Sequence, residues 1–285
     1  MPQETVQLAG RQVHRVGYGA LQLAPHGRPA PSRADAVALL RAVSELGIDH
    51  IDTAEFYGNG SVNRAIAAAF PAYADSPLIA TKVGAREVDG KLVAKQKPAE
   101  LREDVVTNLR ALGRENVDLV YLRRADIAPG IIATGDQVVP IEDQLAELSA
   151  LRDEGLIGAI GLSNVTVEQL RVAIPVGIDA VQNFYNLLDR DTEPVLDLAR
   201  MHGIAWIPYF PLGSGFPGRP RVTDVPSVIE TAADLGATPS QVGLAWLLAH
   251  YDHTLLIPGS GDLEHIRQNL AAGNLDLLNP DRITT

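Results

Sequence analysis

Short apolar runs alternate with stretches of helical periodicity along almost the whole chain. The runs are rich in Val, Ile and Leu, and most are followed by Gly, Pro or a polar residue, as is typical of buried strands. We predict strands at residues 16–19, 48–52, 78–83, 117–122, 157–162, 180–182, 204–207 and 255–257.

Between these runs, apolar residues recur three or four positions apart, as on one face of an α-helix. In residues 98–112, Pro98 can open a helix, Leu101, Val105 and Leu109 share one face, and Gly113 ends it. We predict helices at residues 33–46, 62–70, 98–112, 141–151, 166–173, 195–201, 225–235, 242–248 (after a start at Pro239) and 263–271.

The alternation of strands and helices determines the predicted fold. Strands separated by helices pair in parallel through right-handed crossovers. Eight such units within 285 residues predict an α/β protein with a closed (β/α)8 TIM barrel rather than an open sheet. Residues 6–8 and 13–15 flank a short polar turn and predict an N-terminal β-hairpin. No linker or change of composition marks a second domain, so we expect a single domain over residues 1–285.

The composition is ordinary for a soluble globular protein, with 46% apolar and 21% charged residues. No apolar run approaches the roughly 20 residues that a membrane helix requires. Residues 1–5 lack the basic and apolar regions of a signal peptide. The chain has no cysteine, which excludes disulfides, thiolate catalysis and cysteine-bound metals. We expect a cytoplasmic protein without a membrane partner.

The formal net charge of −11 argues against a nucleic-acid partner, because phosphate backbones attract clustered Lys and Arg. His250 and His253 have a spacing that places both on one helix face, but they lie beyond the apolar part of their helix. Surface positions are favoured over a metal site there, and we expect no bound metal. The sequence does not determine the oligomeric state.

Polar residues follow seven of the predicted strands at their carboxyl ends. In a (β/α)8 barrel these ends meet at one mouth, where ligands bind. One polar strand end is compatible with packing alone, but a series of seven is hard to explain that way. The residues are, in chain order, Asp52 and Tyr57, Lys82, Arg123, Ser163 and Asn164, Gln182, Tyr209 and Ser214, and finally Gly259, Ser260 and Gly261.

Asp52, Tyr57 and Lys82 suggest a unit for proton transfer. A free phenol titrates near 10 and is a poor acid at neutral pH, but a neighbouring ammonium lowers its pKa. Asp52 would keep Lys82 charged and oriented, Tyr57 would protonate a substrate oxygen, and Arg123 would place a fixed positive charge beside that oxygen. The alternative is a buried ion pair that only satisfies itself, which is less favoured because three strands must converge to build it.

The same residues resemble the signatures of the aldo-keto reductase superfamily, in order and over nearly the whole chain. The matching segments are Asp52-Thr53-Ala54 with Tyr57, Thr81-Lys82, Gly161-Leu162-Ser163-Asn164, Gln182 with Tyr185-Asn186, and Ile257-Pro258-Gly259 with Asn269. The resemblance implies that the protein reduces an aldehyde or ketone, a small-molecule carbonyl substrate, with a nicotinamide cofactor. It also implies that Tyr57 is the proton donor and that Lys82 and Asp52 are its partners.

The resemblance implies a set of cofactor-binding residues as well. Ser163, Asn164 and Gln182 would hold the nicotinamide carboxamide, and Tyr209 would stack on the nicotinamide ring. Leu212 and Ser214 would lie along the pyrophosphate. The residues near the adenosine end would be Gly259, Ser260, His265 and Asn269.

Two features depart from the superfamily pattern. Arg123 stands where most members carry His, and a guanidinium can orient and polarise a carbonyl but stays protonated. Gly259 and His265 stand where many members bind the 2′-phosphate of NADPH with Lys and Arg. We therefore expect NADPH as the cofactor with only a modest preference, so that NADH could also serve.

Within the superfamily, the chain resembles the bacterial pyridoxal reductases (pyridoxine 4-dehydrogenases), which also carry Arg at the position of Arg123. The supporting runs are residues 15–24, 81–86, 118–123, 161–166 and 210–213. Two alternatives stay open, a broad-specificity aldehyde reductase and a nicotinamide-binding regulatory protein with little turnover. A lyase or isomerase would need neutral Lys82 as a Schiff-base amine, and Asp52 nearby opposes that.

Residues 213–218 fit a dinucleotide-binding glycine pattern. A true instance joins a strand directly to the start of a helix. Here Pro208 and Pro211 separate the glycines from the strand, and Pro217 and Pro220 stand where a helix would have to begin. We predict a loop over the cofactor instead. We also predict that Trp206 and Trp246 pack in the core.

Overall fold

The computed structural model describes residues 4–25, 29–71, 76–128, 130–213, 220–277 and 280–284. Parallel strands in its centre are surrounded by helices. The strands of the described residues are β1 Thr5–Leu8, β2 Arg11–His14, β3 Tyr18–Gly19, β4 His50–Asp52, β5 Leu78–Val83, β6 Ala85–Val88, β7 Lys91–Ala94, β8 Val117–Arg123, β9 Ile157–Ser163, β10 Ala180–Gln182 and β11 Ala205–Trp206.

The predicted helices are all present, with ends that differ from the prediction by no more than a few residues. Thr166 and Thr238, for example, each cap the next helix with a side-chain oxygen. The α-helices are α1 Arg33–Glu45, α2 Ser61–Ala69, α3 Pro98–Leu112, α4 Ile141–Asp153, α5 Val167–Ala173, α6 Glu193–Met201, α7 Pro226–Leu235, α8 Pro239–His250 and α9 Leu263–Ala271.

Seven parallel strands form one sheet in the order β11-β10-β9-β8-β5-β4-β3. Residues 254–256 take the eighth position and pair with both edges of this sheet. Leu255 N donates to Trp206 O at 2.9 Å, and Gly17 N donates to Leu256 O at 2.8 Å. The sheet therefore closes into the predicted (β/α)8 barrel, although the predicted eighth strand is present only as two isolated bridges, at Thr254 and at Leu256.

The N-terminal hairpin is confirmed, with β1 paired antiparallel to β2. Val6, Leu8 and Val13 of this hairpin pack in the same apolar cluster as Leu78 and Leu119 in the barrel interior. A second cluster, the larger of the two, fills the space between the outer face of the sheet and the helices. The hairpin thus covers one end of the barrel and leaves the carboxyl ends of the strands as the open mouth.

The hairpin of β6 and β7, which comes directly after β5 at the mouth, was not predicted. Its residues are mostly exposed or half-buried, so they lack the apolar run that marks the barrel strands. The sequence of the turn did carry a signal, the pair Asp89-Gly90. In the structure both residues have positive φ, of 50° and 72°. An Asp-Gly pair between two strands favours this kind of tight turn.

The predicted strand at 204–207 is shorter than expected, at Ala205–Trp206.

Trp206 and Trp246 are buried, as predicted. Within the described part of the chain, none of the helices combines the length and apolarity needed to cross a bilayer.

Arg15 ties the end of α8 to the segment that closes the barrel. Its guanidinium is buried and donates from Nη2 to Leu248 O at 2.5 Å and Tyr251 O at 2.9 Å, and from Nε to Thr254 O at 3.1 Å. A positive charge also suits the carboxyl end of a helix, where backbone carbonyls lack partners. Glu4 pairs with Nη1 at 2.9 Å from a largely exposed position.

We predict that Arg15→Met lowers the free energy of unfolding by about 2 kcal/mol, because it leaves buried carbonyls without charged donors. Glu4→Gln is the matched control and should change stability little, because its ion pair is exposed on one side. Urea denaturation of the two variants measures both effects. Equal stability of Arg15→Met and the parent would contradict the proposed role of Arg15 in barrel closure.

Candidate active site

The inward-facing ends of five neighbouring strands converge at the mouth of the barrel. Side chains alternate between the two faces of a strand. Leu78 and Ala80 of β5 lie in the interior cluster, so Lys82 lies beyond them on the same inner face. The same alternation and the strand register bring the other ends beside it. The inward residues are Asp52, Lys82, Arg123, Ser163 and Gln182.

The Lys82 ammonium is the centre of this group. It is 4% exposed, and it donates to a carboxylate oxygen of Asp52, to Thr53 O at 3.0 Å and to Tyr57 OH at 3.2 Å. An ammonium has three N–H donors, and these contacts use all of them. Burial by itself lowers the pKa of Lys82, but the charge of Asp52 and the contact with Tyr57 raise the net pKa above its ordinary value. Lys82 is therefore charged, as predicted.

Burial raises the pKa of Tyr57 above its ordinary value. The positive charges of Lys82 and Arg123 act in the opposite direction but do not outweigh burial and the charge of Asp52. The charge of Lys82 does lower the pKa of this phenol, as predicted, but the pKa of Tyr57 as a whole is raised, so the prediction of a lowered pKa is wrong. The phenol is protonated at neutral pH, which is the form that can donate a proton.

Gln182 and Asp52 are in direct contact, since Gln182 Nε2 donates to the second carboxylate oxygen of Asp52 at 2.9 Å. Both side chains are buried. Gln182 was predicted to hold a nicotinamide carboxamide, and the structure adds a contact that the sequence did not reveal. With Lys82 on one oxygen and Gln182 on the other, the carboxylate of Asp52 is fixed from two strands.

Arg123 lies beside Tyr209 at the mouth, with the guanidinium carbon 5.8 Å from the centre of the ring. Its Nε is buried and has no hydrogen-bond partner within the described part of the chain. Tyr209 OH donates to Asn164 Oδ1 at 3.1 Å, and Asn164 Nδ2 donates to Ile127 O at 2.9 Å. Asn164 and Tyr209 were predicted to form part of the nicotinamide site, and they lie together.

The hydroxyl of Ser163 is fully buried at the end of β9 and lacks a hydrogen-bond partner among the residues that the structure describes. A buried hydroxyl without a partner costs free energy and calls for an explanation. A ligand amide at the mouth would supply the missing partner. The residues present therefore fit the carboxamide of a nicotinamide cofactor.

The residues predicted for the adenosine end lie around the start of α9. Gly259 and His265 are exposed, and Asn269 is half-buried. Ser260 Oγ accepts a hydrogen bond from Asp262 N at 3.0 Å. Leu212 packs against the core between sheet and helices. Ser214 and the rest of the predicted loop at residues 214–219 lie outside the described residues.

Asp262 is an acidic residue of this region that was not predicted from the sequence. Its carboxylate caps α9 by accepting from Glu264 N at 2.7 Å and from His265 N at 3.3 Å. These backbone hydrogen bonds lower the pKa of Asp262, so it is ionised. Its position before a helix, as an N-cap residue, was the available signal. The nearby Arg267 pairs with Glu264 at 3.4 Å.

His250 and His253 have separate partners. His250 Nε2 contacts Glu193 Oε1 at 2.6 Å and its ring stacks on Trp246. His253 Nδ1 lies 3.3 Å from Gly203 O.

Comparison with known proteins agrees with this geometry. Residues 15–285 match the model of the Aldo/keto reductase family. The chain is 40% identical to pyridoxine 4-dehydrogenase of Escherichia coli over 97% of this chain and 95% of that protein. It is 34% identical to an uncharacterized oxidoreductase of Schizosaccharomyces pombe over 96% of this chain and 86% of that protein.

Solved structures lead to the same family. An aldo-keto reductase from Klebsiella pneumoniae in complex with NADPH matches with a TM-score of 0.78 and 26% identity, over 97% of this chain and 92% of that one. The family match covers almost the entire chain, including every candidate site residue. The protein is therefore a member of the aldo/keto reductase family.

Proposed function

We propose that the protein reduces pyridoxal to pyridoxine with NADPH, and that Tyr57 gives the proton. The observation that carries the proposal is the contact of Tyr57 OH with the buried, charged Lys82, at the mouth that Arg123 also lines. Support for the substrate comes from the relative at 40% identity, which is named pyridoxine 4-dehydrogenase. Support for the cofactor comes from the Klebsiella pneumoniae structure, which contains NADPH. The proposal includes one domain over residues 1–285 and a cytoplasmic location.

The proposed chemistry divides the work between cofactor and protein. Bound NADPH would supply a hydride to the aldehyde carbon. Tyr57 donates its phenolic proton to the aldehyde oxygen as general acid, and the charge of Lys82 stabilises the phenolate that remains. Asp52 keeps Lys82 charged and aimed. Ser163, with its otherwise unpaired hydroxyl among the described residues, fits the nicotinamide carboxamide.

Arg123 accounts for the choice of pyridoxal among aldehydes. Pyridoxal carries its aldehyde on a pyridine ring, next to a phenolic oxygen that is readily anionic. A guanidinium can donate to two neighbouring oxygens in one plane, which a neutral imidazole cannot do. The unpaired, buried Nε of Arg123 leaves a donor of this kind at the mouth, as judged over the described residues.

The adenosine end accounts for the expected modest preference between cofactors. Gly259 offers no charge to a 2′-phosphate, and the carboxylate of Asp262 already occupies the first backbone donors of α9. A phosphate placed there would meet a negative charge rather than free donors. The proposed binding of NADPH is therefore weakened by Asp262, and NADH remains a usable cofactor.

We predict that Tyr57→Phe lowers kcat for aldehyde reduction by about 10² to 10⁴ and leaves NADPH binding intact, because only the proton donor is lost. Tyr251→Phe removes a phenol that bonds Ile204 O, away from the mouth, and is the matched control. Loss of NADPH absorbance measures turnover, and fluorescence quenching measures binding. Near-full turnover of Tyr57→Phe at saturating cofactor would remove Tyr57 from the mechanism.

We predict that Arg123→His lowers kcat/KM for pyridoxal more than for benzaldehyde, because only pyridoxal offers a second oxygen to the guanidinium. Arg123→Lys keeps the positive charge but lacks the planar guanidinium. Its kcat/KM for pyridoxal should lie between those of Arg123→His and the parent. Steady-state kinetics with both aldehydes separates the effects. If kcat/KM falls equally for both aldehydes, or if the parent prefers benzaldehyde, the assignment of pyridoxal is wrong and the broad-specificity aldehyde reductase remains.

We predict that the parent prefers NADPH over NADH by less than about a thousandfold in Kd, or roughly 4 kcal/mol. Asp262→Ser removes the charge and keeps a capping oxygen. It should lower the Kd for NADPH and leave the Kd for NADH nearly unchanged. Fluorescence quenching with each cofactor gives the four dissociation constants. A larger preference in the parent, or no change in Asp262→Ser, would mean that another group binds the 2′-phosphate.

A further inference from the structure

The contact between Lys82 and Tyr57 depends on the other two acceptors of the ammonium. The first acceptor, Asp52, is fixed by Gln182. The second acceptor is the backbone carbonyl of Thr53, at 3.0 Å. If this carbonyl moved, the ammonium would follow it and lose its direction toward the phenol. The aim of Lys82 therefore depends on the groups that hold Thr53.

The side chain of Thr53 points away from the barrel interior and is held by α2. Thr53 Oγ1 donates to Asn63 Oδ1 at 2.8 Å. Asn63 Nδ2 in turn donates to Asn108 Oδ1 at 2.9 Å and to Glu55 Oε2 at 3.1 Å. Thr53 N also donates to Ala80 O at 2.8 Å. The residue that presents the carbonyl to Lys82 is thus fixed by its backbone and by its side chain.

Asn108 of α3 links this chain of hydrogen bonds to the neighbouring strand. Its Oδ1 also accepts from Thr81 Oγ1 at 2.5 Å, and its Nδ2 donates to Asp104 O at 2.9 Å. Thr81 directly precedes Lys82, and alternation places the two on opposite faces of β5. Asn63 and Asn108 therefore join, on the outer face, the residues adjacent to Asp52 and Lys82 on the inner face.

This polar chain lies in a layer that is otherwise apolar. Thr53, Asn63, Thr81 and Asn108 are all 0% exposed. Their helical neighbours Val62, Ile66, Val105 and Leu109 belong to the apolar cluster between sheet and helices. Buried amides cost free energy unless their hydrogen bonds are made, and apolar side chains would pack there without that cost. A satisfied network does what apolar packing does not, because its bonds have fixed directions and lengths.

We propose that Asn63 and Asn108 are positioning residues for proton donation, which set the place of the Thr53 carbonyl and thereby aim Lys82 at Tyr57. This inference rests on the proposed role of Tyr57 as general acid. Neither asparagine touches substrate or cofactor in this scheme. They act through Thr53 on the geometry of the contact between Lys82 and Tyr57, and small misplacements of a catalytic group cost rate rather than binding.

Thr53→Val tests the proposal most directly, because it removes one hydroxyl and keeps the shape and the backbone carbonyl. We expect kcat to fall about tenfold to a hundredfold with pyridoxal and with benzaldehyde, while the Kd for NADPH stays at the parent value. Thr53→Ser keeps the hydroxyl and should restore most of kcat. The solvent deuterium isotope effect on kcat should rise in Thr53→Val, because proton transfer becomes more rate-limiting.

Asn108→Ala provides a second test from the other helix. It should show the same loss of kcat, unchanged NADPH binding and raised isotope effect. Leu112→Ala, in the same helix, is the control for destabilisation, since Leu112 is buried in the apolar cluster rather than in the polar chain. It should lower the melting temperature and leave kcat and the isotope effect at parent values at a temperature where it is folded.

The outcomes separate this inference from the proposed function. If the parent reduces aldehydes and Tyr57→Phe does not, but Thr53→Val and Asn108→Ala keep the parent kcat, the positioning role is overturned and the function stands. If Leu112→Ala loses as much kcat as Asn108→Ala, the effect is one of stability and the positioning role is again overturned. If the parent reduces no aldehyde, the proposed function and the positioning role are both overturned.

Discussion

A buried ammonium is the constraint on which the rest of this structure depends. Lys82 is almost fully withdrawn from solvent, and a charge in that position is stable only when its donors are paired. The pairing comes from a carboxylate, a backbone carbonyl and a phenol, all reached from one neighbouring strand and the loop after it. The cost of burying the charge is offset by these contacts, and the same contacts bring a phenol to the mouth of the barrel.

The two faces of the barrel strands divide the work of building the site. Inward positions at the carboxyl ends carry Asp52, Lys82, Arg123, Ser163 and Gln182, while outward positions of the same strands meet the helices. Where β4 and β5 meet α2 and α3, a chain of polar residues crosses the otherwise apolar outward layer and is continuous with the site through the backbone. The scaffold and the reactive groups are therefore joined by hydrogen bonds with defined geometry, in addition to apolar packing.

Charge acts in opposite directions at the two ends of the expected cofactor groove. At the proposed nicotinamide end, Lys82 and Arg123 place positive charge near Tyr57, where the proposed reduction would build negative charge on a carbonyl oxygen. At the adenosine end, the ionised Asp262 caps α9. Under the proposed function, discrimination between NADPH and NADH would depend on Asp262, a residue outside the proton-donating unit, so a change in cofactor preference would not require a change in Asp52, Tyr57 or Lys82.

The sequence by itself determined the order of the barrel strands and helices, the barrel and the place of most candidate site residues, because the barrel strands are short apolar runs and polar residues follow seven of them. It did not reveal the β6–β7 hairpin, whose strands are too polar to stand out, or the capping role of Asp262. It also indicated the wrong direction for the net pKa of Tyr57, since burial is a property of the folded chain and outweighs a charge that spacing alone could suggest. Only the tertiary structure decided that Gln182 contacts Asp52 and that Asn63 and Asn108 connect two strands, because these residues are far apart along the chain and meet only in the folded protein.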